Sequence, residues 1–339
     1  MKAVAYQHAL PIADPRSLVD TTLPDPVPGP RDLLVDVRAV SVNPVDTKIR
    51  KNVAPDAGGW KVLGWDASGV VSAVGSDVTR FKAGDRVWYA GSLTRPGSNS
   101  ERQVVDERLA GRMPTSLDFA SAAALPLTTI TAWEMLFDRL KIAPGKHHHG
   151  DAILIVGASG GVGSILTQLA RRLTGLTVIG TASRPETRDW VTQLGAHAVV
   201  DHTKPLAKEV ADLGLGAPRY VVSLNSTEQH FAQLTEAIAP QGDFGLIDDP
   251  EPGAIDLNLL KRKSVATHWE FMFTRSMFET PDMGAQGDLL DEVAQLVDAG
   301  VLRTTVGEHF GTIDAANLKK AHALLESGKA RGKIVLEGF

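Results

Sequence analysis

A chain of 339 residues with 35 Lys+Arg against 40 Asp+Glu, 43% apolar residues and no cysteine closes off several possibilities at once. The length suits two domains at roughly 100 to 200 residues each and easily supports a buried core, which excludes a disordered chain. A net charge of −5 without a run of five like charges argues against nucleic acid or an anionic membrane surface as the main partner, and the missing thiols exclude disulfides, thiolate catalysis, iron–sulfur clusters and sulfur-ligated zinc.

The N-terminal stretch Met1-Lys2-Ala3-Val4-Ala5-Tyr6-Gln7-His8 lacks a sustained apolar region, and no segment reaches the roughly 18 apolar residues of a membrane span. A soluble, cytoplasmic protein is the expectation. The first third carries short β-branched runs, at 33–40 and 69–74, punctuated by Pro, Gly and Asp. The proline-rich stretch 24–30 is edge or loop, because proline has no N–H to give a ladder. Helical periodicity begins near 120–125 and continues over 131–140, ending at Pro144-Gly145.

After Gly150, strands alternate with amphipathic helices: a strand at 153–156, a helix at 165–173, a strand at 177–180 and a helix at 186–194. Further strands are predicted at 198–200, 220–224, 244–247 and 264–269, enough for a six-stranded sheet. Such alternation means right-handed crossovers and a doubly wound parallel α/β sheet. The tail reads as a helix at 289–299, a strand near Val306, a helix at 315–326 and a last strand at 333–336, expected to return to the first module.

Directly after the strand at 153–156 stands Gly157-Ala158-Ser159-Gly160-Gly161-Val162-Gly163-Ser164, opening the next helix. Glycines here allow a tight turn and let the backbone approach a pyrophosphate, whose charge sits on free N–H groups at the helix N-terminus. Ser159, Gly160, Gly161, Val162 and Gly163 are therefore candidate cofactor contacts, with Ala158 in the first glycine position. The second strand ends without the Asp or Glu that would bind a ribose 2′-hydroxyl; Ser183, Arg184 and Arg188 stand there instead. A hydroxyl and two guanidinium groups suit a 2′-phosphate, which favours NADPH. Leu224, Asn225, Ile247, Asp248, His268 and Trp269 follow successive strand ends, where doubly wound sheets present ligand contacts. No P-loop exists, and no Tyr is followed four residues later by the Lys that short-chain dehydrogenases need.

The glycine fingerprint, together with Ala39-Val40-Ser41-Val42-Asn43-Pro44-Val45-Asp46, Gly64-Trp65-Asp66-Ala67-Ser68-Gly69-Val70-Val71, Gly84-Asp85-Arg86-Val87 and Leu194-Gly195-Ala196, resembles the medium-chain dehydrogenase/reductase superfamily along the whole chain. The likeness is to its quinone oxidoreductase branch, and within it to the zinc-type alcohol dehydrogenase-like subgroup. It implies a β-rich GroES-like catalytic domain over 1–128 and 274–339, a Rossmann NADPH-binding domain over 129–273, and a homodimer paired through the last Rossmann strand. Zinc-dependent relatives place Cys where Asn43 stands and His where Trp65 stands, and carry a four-Cys lobe after Gly84-Asp85-Arg86-Val87. Only the acidic Asp66 of that set is present, so no catalytic or structural zinc is expected. The run His147-His148-His149 has neither preorganised geometry nor supporting partners for a functional metal.

Without a Lewis acid, the accessible substrates are quinones and α,β-unsaturated carbonyls, which take hydride at a carbon whose charge spreads onto oxygen. By the resemblance, Asn43 donates to the developing oxyanion, Asp46 orients it or holds the nicotinamide ribose, and Thr131 lies beside the nicotinamide. Capping of the turn started by Pro44 explains Asn43 and Asp46 as well, and a hydroxyl bonded to its own helix explains Thr131. Trp65, Trp88, Tyr89 and Arg95 are candidate substrate contacts, the aromatic rings offering flat apolar surface. Two alternatives stay open: an alcohol or aldehyde reductase of the same superfamily, and a non-enzymatic NADPH-binding regulatory or structural protein.

Overall fold

The structure, a computed structural model, describes residues 1–147 and 150–339. The chain divides into two compact units, one of Met1–Ile130 with Phe273–Phe339 and one of Thr131–Met272.

The second unit is built on six parallel strands in the spatial order Ala198–Val200, Thr177–Thr181, Ala152–Val156, Tyr220–Ser223, Asp243–Leu246, Ala266–Trp269. The chain starts in the middle, winds outward one way, and then returns to wind the other way. That reversal, between Ala152–Val156 and Tyr220–Ser223, is the topological switch point at which such sheets leave a crevice beyond their C-terminal ends. Ala152–Val156 is buried along its whole length, as a strand covered on both faces must be. Leu154, Ile179, Val221 and Phe244 share one core with Phe231 and Leu234 of the helix Thr227–Ala237.

Two predicted elements differ here. The strand expected at 264–269 begins only at Ala266, because Ser264 adopts φ 51°, a left-handed conformation that interrupts extended backbone. The helix expected over 131–140 is an α-helix, Pro126–Trp133, running into a π-helical turn, Glu134–Arg139. The wider turn brings residues five apart, Glu134 and Arg139, onto one side, where both meet Glu270.

The first unit holds a seven-stranded sheet centred on the long strand Asp32–Val42, which pairs antiparallel with Ala67–Val74, Arg102–Asp106 and Lys333–Glu337. The last of these is the C-terminal strand, so the tail completes the N-terminal sheet. A smaller sheet is formed by Val19–Thr22, Lys2–Tyr6 and Lys61–Val62. The helix Ala315–Glu326 packs against the helix Pro44–Asn52. No helix among the described residues is long and apolar enough to cross a membrane.

Candidate active site

The glycine loop follows Ala152–Val156 and leads into the helix Gly161–Leu173. Gly157 turns the chain with φ 79°, and Gly160 caps the helix in extended conformation. The first-turn N–H groups, those of Gly161, Val162 and Gly163 among them, have no carbonyl one turn earlier, which makes this helix start an anion cradle. A Cβ on Gly163 would lie 2.3 Å from the Gly157 carbonyl oxygen and 2.6 Å from the Ala158 Cα, so only glycine lets the helix seat this closely on the turn. Ala158 fits the first glycine position because the strand facing it has Gly180, where a Cβ would come 2.9 Å from the Ala158 methyl.

Across the switch point, Leu224 and Asn225 follow Tyr220–Ser223, and Asn225 Oδ1 would stand 2.4 Å from a Cβ on Gly157. Residues 157–163 and Asn225 therefore form one locus. At the end of the second strand, Arg184 pairs with Glu186 at 3.2 Å, both side chains partly exposed. Arg188 is engaged by the backbone, donating to the carbonyls of Ala182 at 3.2 Å and Val199 at 2.8 Å, which ties together the ends of two strands. Ser183 lies half-buried beside them.

Other strand-end candidates have protein partners. The Asp248 carboxylate accepts the Thr227 N–H at 3.0 Å and its hydroxyl at 2.5 Å, capping the helix Thr227–Ala237. Ile247 is half-buried. His268 meets Asp243 at 2.9 Å, and Trp269, 54% exposed, stands on the edge strand of the sheet.

In the first unit, Asn43 precedes the helix Pro44–Asn52, and its backbone N–H is accepted by Asp46 at 2.6 Å, the reciprocal half of a helix cap. Asp46 also accepts the Gly64 N–H at 3.0 Å. The Asn43 side chain donates from Nδ2 to Asp66 Oδ2 at 2.8 Å and lies 3.4 Å from the Ser41 carbonyl. A residue the sequence reading missed completes the group. Lys333, first in the C-terminal strand, donates from Nζ to Asn43 Oδ1 at 2.5 Å and to the Val42 carbonyl at 3.1 Å, and stands 3.0 Å from Asp66 Oδ2. Asp66 Oδ1 takes the Leu127 N–H at 2.8 Å. Asn43, Asp46, Asp66 and Lys333 are all buried. Burial pushes both carboxyls up, Asp46 to about 7, with the Asp66 charge adding to the shift and Lys333 opposing it. The one available signal was a lysine opening an otherwise apolar strand, Lys333-Ile334-Val335-Leu336, where a solvent-facing charge is the ordinary reading.

The aromatic candidates are core residues of the same unit. Trp65 is buried with its indole N–H on the Ser92 carbonyl at 3.0 Å and its ring edge-on to Phe273. Trp88 and Tyr89 are buried on the strand Arg86–Tyr89, and burial raises the Tyr89 phenol. Arg95 makes a bidentate pair with Asp32 at 2.7 and 2.8 Å. Thr131 is buried in the helix Pro126–Trp133.

In the second unit, Glu134 and Glu270 form a buried carboxyl pair. Arg139 Nε donates to Glu270 at 2.6 Å, and its Nη2 lies 3.6 Å from Glu134. Burial and the Glu134 charge push Glu270 up to about 9.

Two sequence families match: residues 29–115 correspond to the alcohol dehydrogenase GroES-like domain and residues 194–336 to the zinc-binding dehydrogenase family. A zinc-type alcohol dehydrogenase-like protein of Staphylococcus aureus (strain MSSA476) is 40% identical over 312 residues, 92% of each chain. The chain belongs to the medium-chain dehydrogenase/reductase superfamily. A quinone oxidoreductase of Pseudomonas aeruginosa is 33% identical over 322 residues, covering 91% of this chain and 92% of the other. Among solved structures, a putative zinc-dependent alcohol dehydrogenase from Rhizobium etli CFN 42 is 60% identical with a TM-score of 0.96, over 100% of this chain and 98% of that one. Mycobacterial Rv1454c, solved with NADPH, is 26% identical with a TM-score of 0.83, over 99% and 100% of the two chains. The chain is thus an oxidoreductase of the quinone oxidoreductase and zinc-type alcohol dehydrogenase-like kind, similar to a protein solved with NADPH.

The family names raise the question of zinc, and the donor chemistry answers it. At the superfamily's ligand positions, Asn43 offers an amide oxygen already bonded to an ammonium, and Trp65 offers an indole whose nitrogen lone pair is tied up in the aromatic ring. Asp66 is a single carboxylate, already carrying three donors. Catalytic zinc takes three such ligands with an open fourth position, so these residues do not fit it. Among the described residues no other cluster of three His, Asp or Glu has metal-site geometry. His148 and His149 of the histidine run lie outside the described residues.

Proposed function

We propose that this enzyme transfers hydride from NADPH to a quinone or an α,β-unsaturated carbonyl without a metal ion. The observation that carries the reading is the group at Asn43, Asp66 and Lys333. A positively charged side chain is built into the locus where zinc-dependent relatives hold their metal, and the donor set cannot polarise a saturated carbonyl as a Lewis acid does. Substrates whose incoming charge delocalises onto oxygen need less help, and hydrogen bonding suffices for them. The likeness to a protein named quinone oxidoreductase supports the same substrate class.

NADPH, when bound, supplies the hydride; this chain supplies the cradle and the orientation. Gly160 to Gly163 offer backbone N–H groups to the pyrophosphate, and Gly157 and Asn225 shape the turn beside it. The preference for NADPH over NADH rests on Arg184 and Ser183 standing where a ribose-binding carboxylate is missing. Arg188 has a structural role there, holding two strand ends. Asn43 is the proposed oxyanion donor, through the amide hydrogen whose protein partner, the Ser41 carbonyl, is distant at 3.4 Å. Asp46 holds the Asn43 backbone. The proposed setting is cytoplasmic. A homodimer through the edge strand Ala266–Trp269 accounts for the exposed Trp269 indole, and light scattering giving a monomer at micromolar concentration would refute it.

The test is the loss of NADPH absorbance with 1,4-benzoquinone, an enone and a saturated aldehyde in parallel, with metal content assayed on the same tag-free sample. Turnover confined to the quinone or enone, in zinc-free protein, is the expected result. Aldehyde turnover, or stoichiometric zinc in active protein, would overturn the assignment.

A further inference from the structure

Asn43 is a poor catalytic group by itself, because a primary amide rotates freely and presents its oxygen as readily as its nitrogen. In this structure it has no such freedom. Lys333 has only donors to offer and an ionised Asp66 only acceptors, and the two bracket the amide from opposite ends. Flipping the amide would set NH2 against the ammonium and the carbonyl against the carboxylate, reversing two charge-assisted bonds at once. Burial excludes the water that would soften either contact, since Lys333 is 3% exposed and Asp66 is fully enclosed. Lys333 itself is held, its three protons going to Val42, Asn43 and Asp66.

We propose that Lys333 is the positioning residue of the reaction centre, its ammonium locking the Asn43 amide so that one N–H always faces Asp66 and the other, turned to the Ser41 carbonyl at 3.4 Å, makes the long and weak bond that a substrate oxygen takes over. The step it serves rests on the reaction proposed above; the lock itself does not. Lys333 acts through Asn43, because each of its protons is already bonded within the protein. The lysine heads the C-terminal strand, whose register against Asp32–Val42 pairs Ile334 with Val42, placing Lys333 next to the residue that precedes Asn43. The strand is therefore a device for delivering a cation to the start of the helix Pro44–Asn52.

The experiment has two arms on the full-length protein. In the first, protein labelled with 15N-asparagine is prepared as wild type, Lys333→Arg, Lys333→Met and Lys333→Met/Asp66→Asn, the double variant removing the carboxylate that Lys333→Met strands and so guarding against failure to fold. The Asn43 side-chain amide is assigned by its loss in Asn43→Ala. Two sharp, inequivalent and slowly exchanging amide protons are expected in the wild type and in Lys333→Arg, and fast exchange in whichever Met variants keep native circular dichroism. In the second arm, kcat and KM are measured with NADPH and 1,4-benzoquinone. Loss of an oriented oxyanion donor predicts a fall in kcat of about 100-fold in the Met variants, an unchanged KM for NADPH, and recovery to within about tenfold in Lys333→Arg.

Persistent amide protection in a folded Met variant would overturn the lock. Released amide protons with unchanged kcat would overturn its catalytic use. If the wild type turns over no quinone or enone while the amide behaves as expected, the lock stands and the proposed reaction falls.

Discussion

His322 makes an acid-sensitive contribution to the stability of the first unit, and its size can be calculated. It lies on the helix Ala315–Glu326, fully buried, with neither ring nitrogen hydrogen-bonded among the described residues. Burial is the main cause, and the nearby Arg50 and Lys51 charges add to it, in lowering the imidazole pKa to about 3. The unfolded chain binds this proton near pH 6.5 and the folded chain does not, so stability present above 6.5 is lost as pH falls toward 3. At 1.36 kcal/mol per pKa unit, the loss on going from pH 8 to pH 5 is about 2 kcal/mol. His322→Leu keeps a similar volume and removes the titration. Urea unfolding followed by tryptophan fluorescence, at pH 8 and pH 5, is the assay, and the variant should retain about 2 kcal/mol more than wild type at the lower pH relative to the higher. Equal pH dependence in the two proteins, or an NMR titration of His322 centred near its ordinary value, would refute the reasoning.

Three further outcomes follow from the second unit. Gly163→Ala puts a methyl 2.3 Å from the Gly157 carbonyl, so the helix must withdraw from the turn; NADPH binding followed by fluorescence should weaken more than about tenfold, and unchanged affinity would show that the loop does not hold the pyrophosphate. Arg184→Ala should weaken NADPH more than NADH, because a guanidinium recognises the 2′-phosphate and has nothing comparable to bind on a ribose hydroxyl; equal losses would remove Arg184 from the cofactor site. Glu270 has its pKa raised to about 9, so the stability it contributes is fully present below 4.5 and is lost as pH rises through 9. Glu270→Gln mimics the protonated form and titrates in neither state, so it should match wild type at about pH 4 and gain on it steadily as pH rises toward 9; a variant as alkali-sensitive as wild type would place the titration elsewhere.

Most of the architecture was legible because it depends on local patterns. A strand, a glycine turn and a helix in sequence at 152–173, repeated as alternating elements, point to a six-stranded doubly wound parallel sheet, and the six strands form one. Gly163 was readable for the same reason, being demanded by its backbone contact with Gly157. What escaped the sequence was pairing over long separations. Nothing local links Lys333 to Asn43, 290 positions away, or Arg139 to Glu270, 131 positions away. The partners chosen by Asp248, Arg95 and Arg188 were equally invisible, since a charged side chain near a strand end reads the same whether it caps a helix, pairs with a neighbour or awaits a ligand. The π-helical turn was missed because its apolar spacing passes for an ordinary helix; the buried Glu134 gives it away only once its partners are known.

The first unit also contains a group that opposes His322, and the two together make a sharper prediction than either alone. Asp46, in contact with the Asn43 and Gly64 amides, has its pKa raised from 3.8 to about 7. For an acid shifted upward, the stabilising contribution is full below 3.8 and is lost as pH rises through 7, the reverse of the histidine. From pH 8 to pH 5 this carboxyl gains about 2 to 3 kcal/mol, close to what His322 gives up. These two groups therefore cancel in the wild type, leaving a flat contribution over the interval. Asp46→Asn, which keeps an oxygen for one of the two amides, unmasks the histidine, and the unit should then weaken toward pH 5; His322→Leu unmasks the carboxyl, and the unit should strengthen there. The double variant should return to the wild-type slope, since the two side chains share no hydrogen bond or ion pair among the described residues. Unfolding of all four proteins at the two pH values closes the cycle. A double variant whose slope matches either single variant would show that one of the two groups does not titrate as its burial requires.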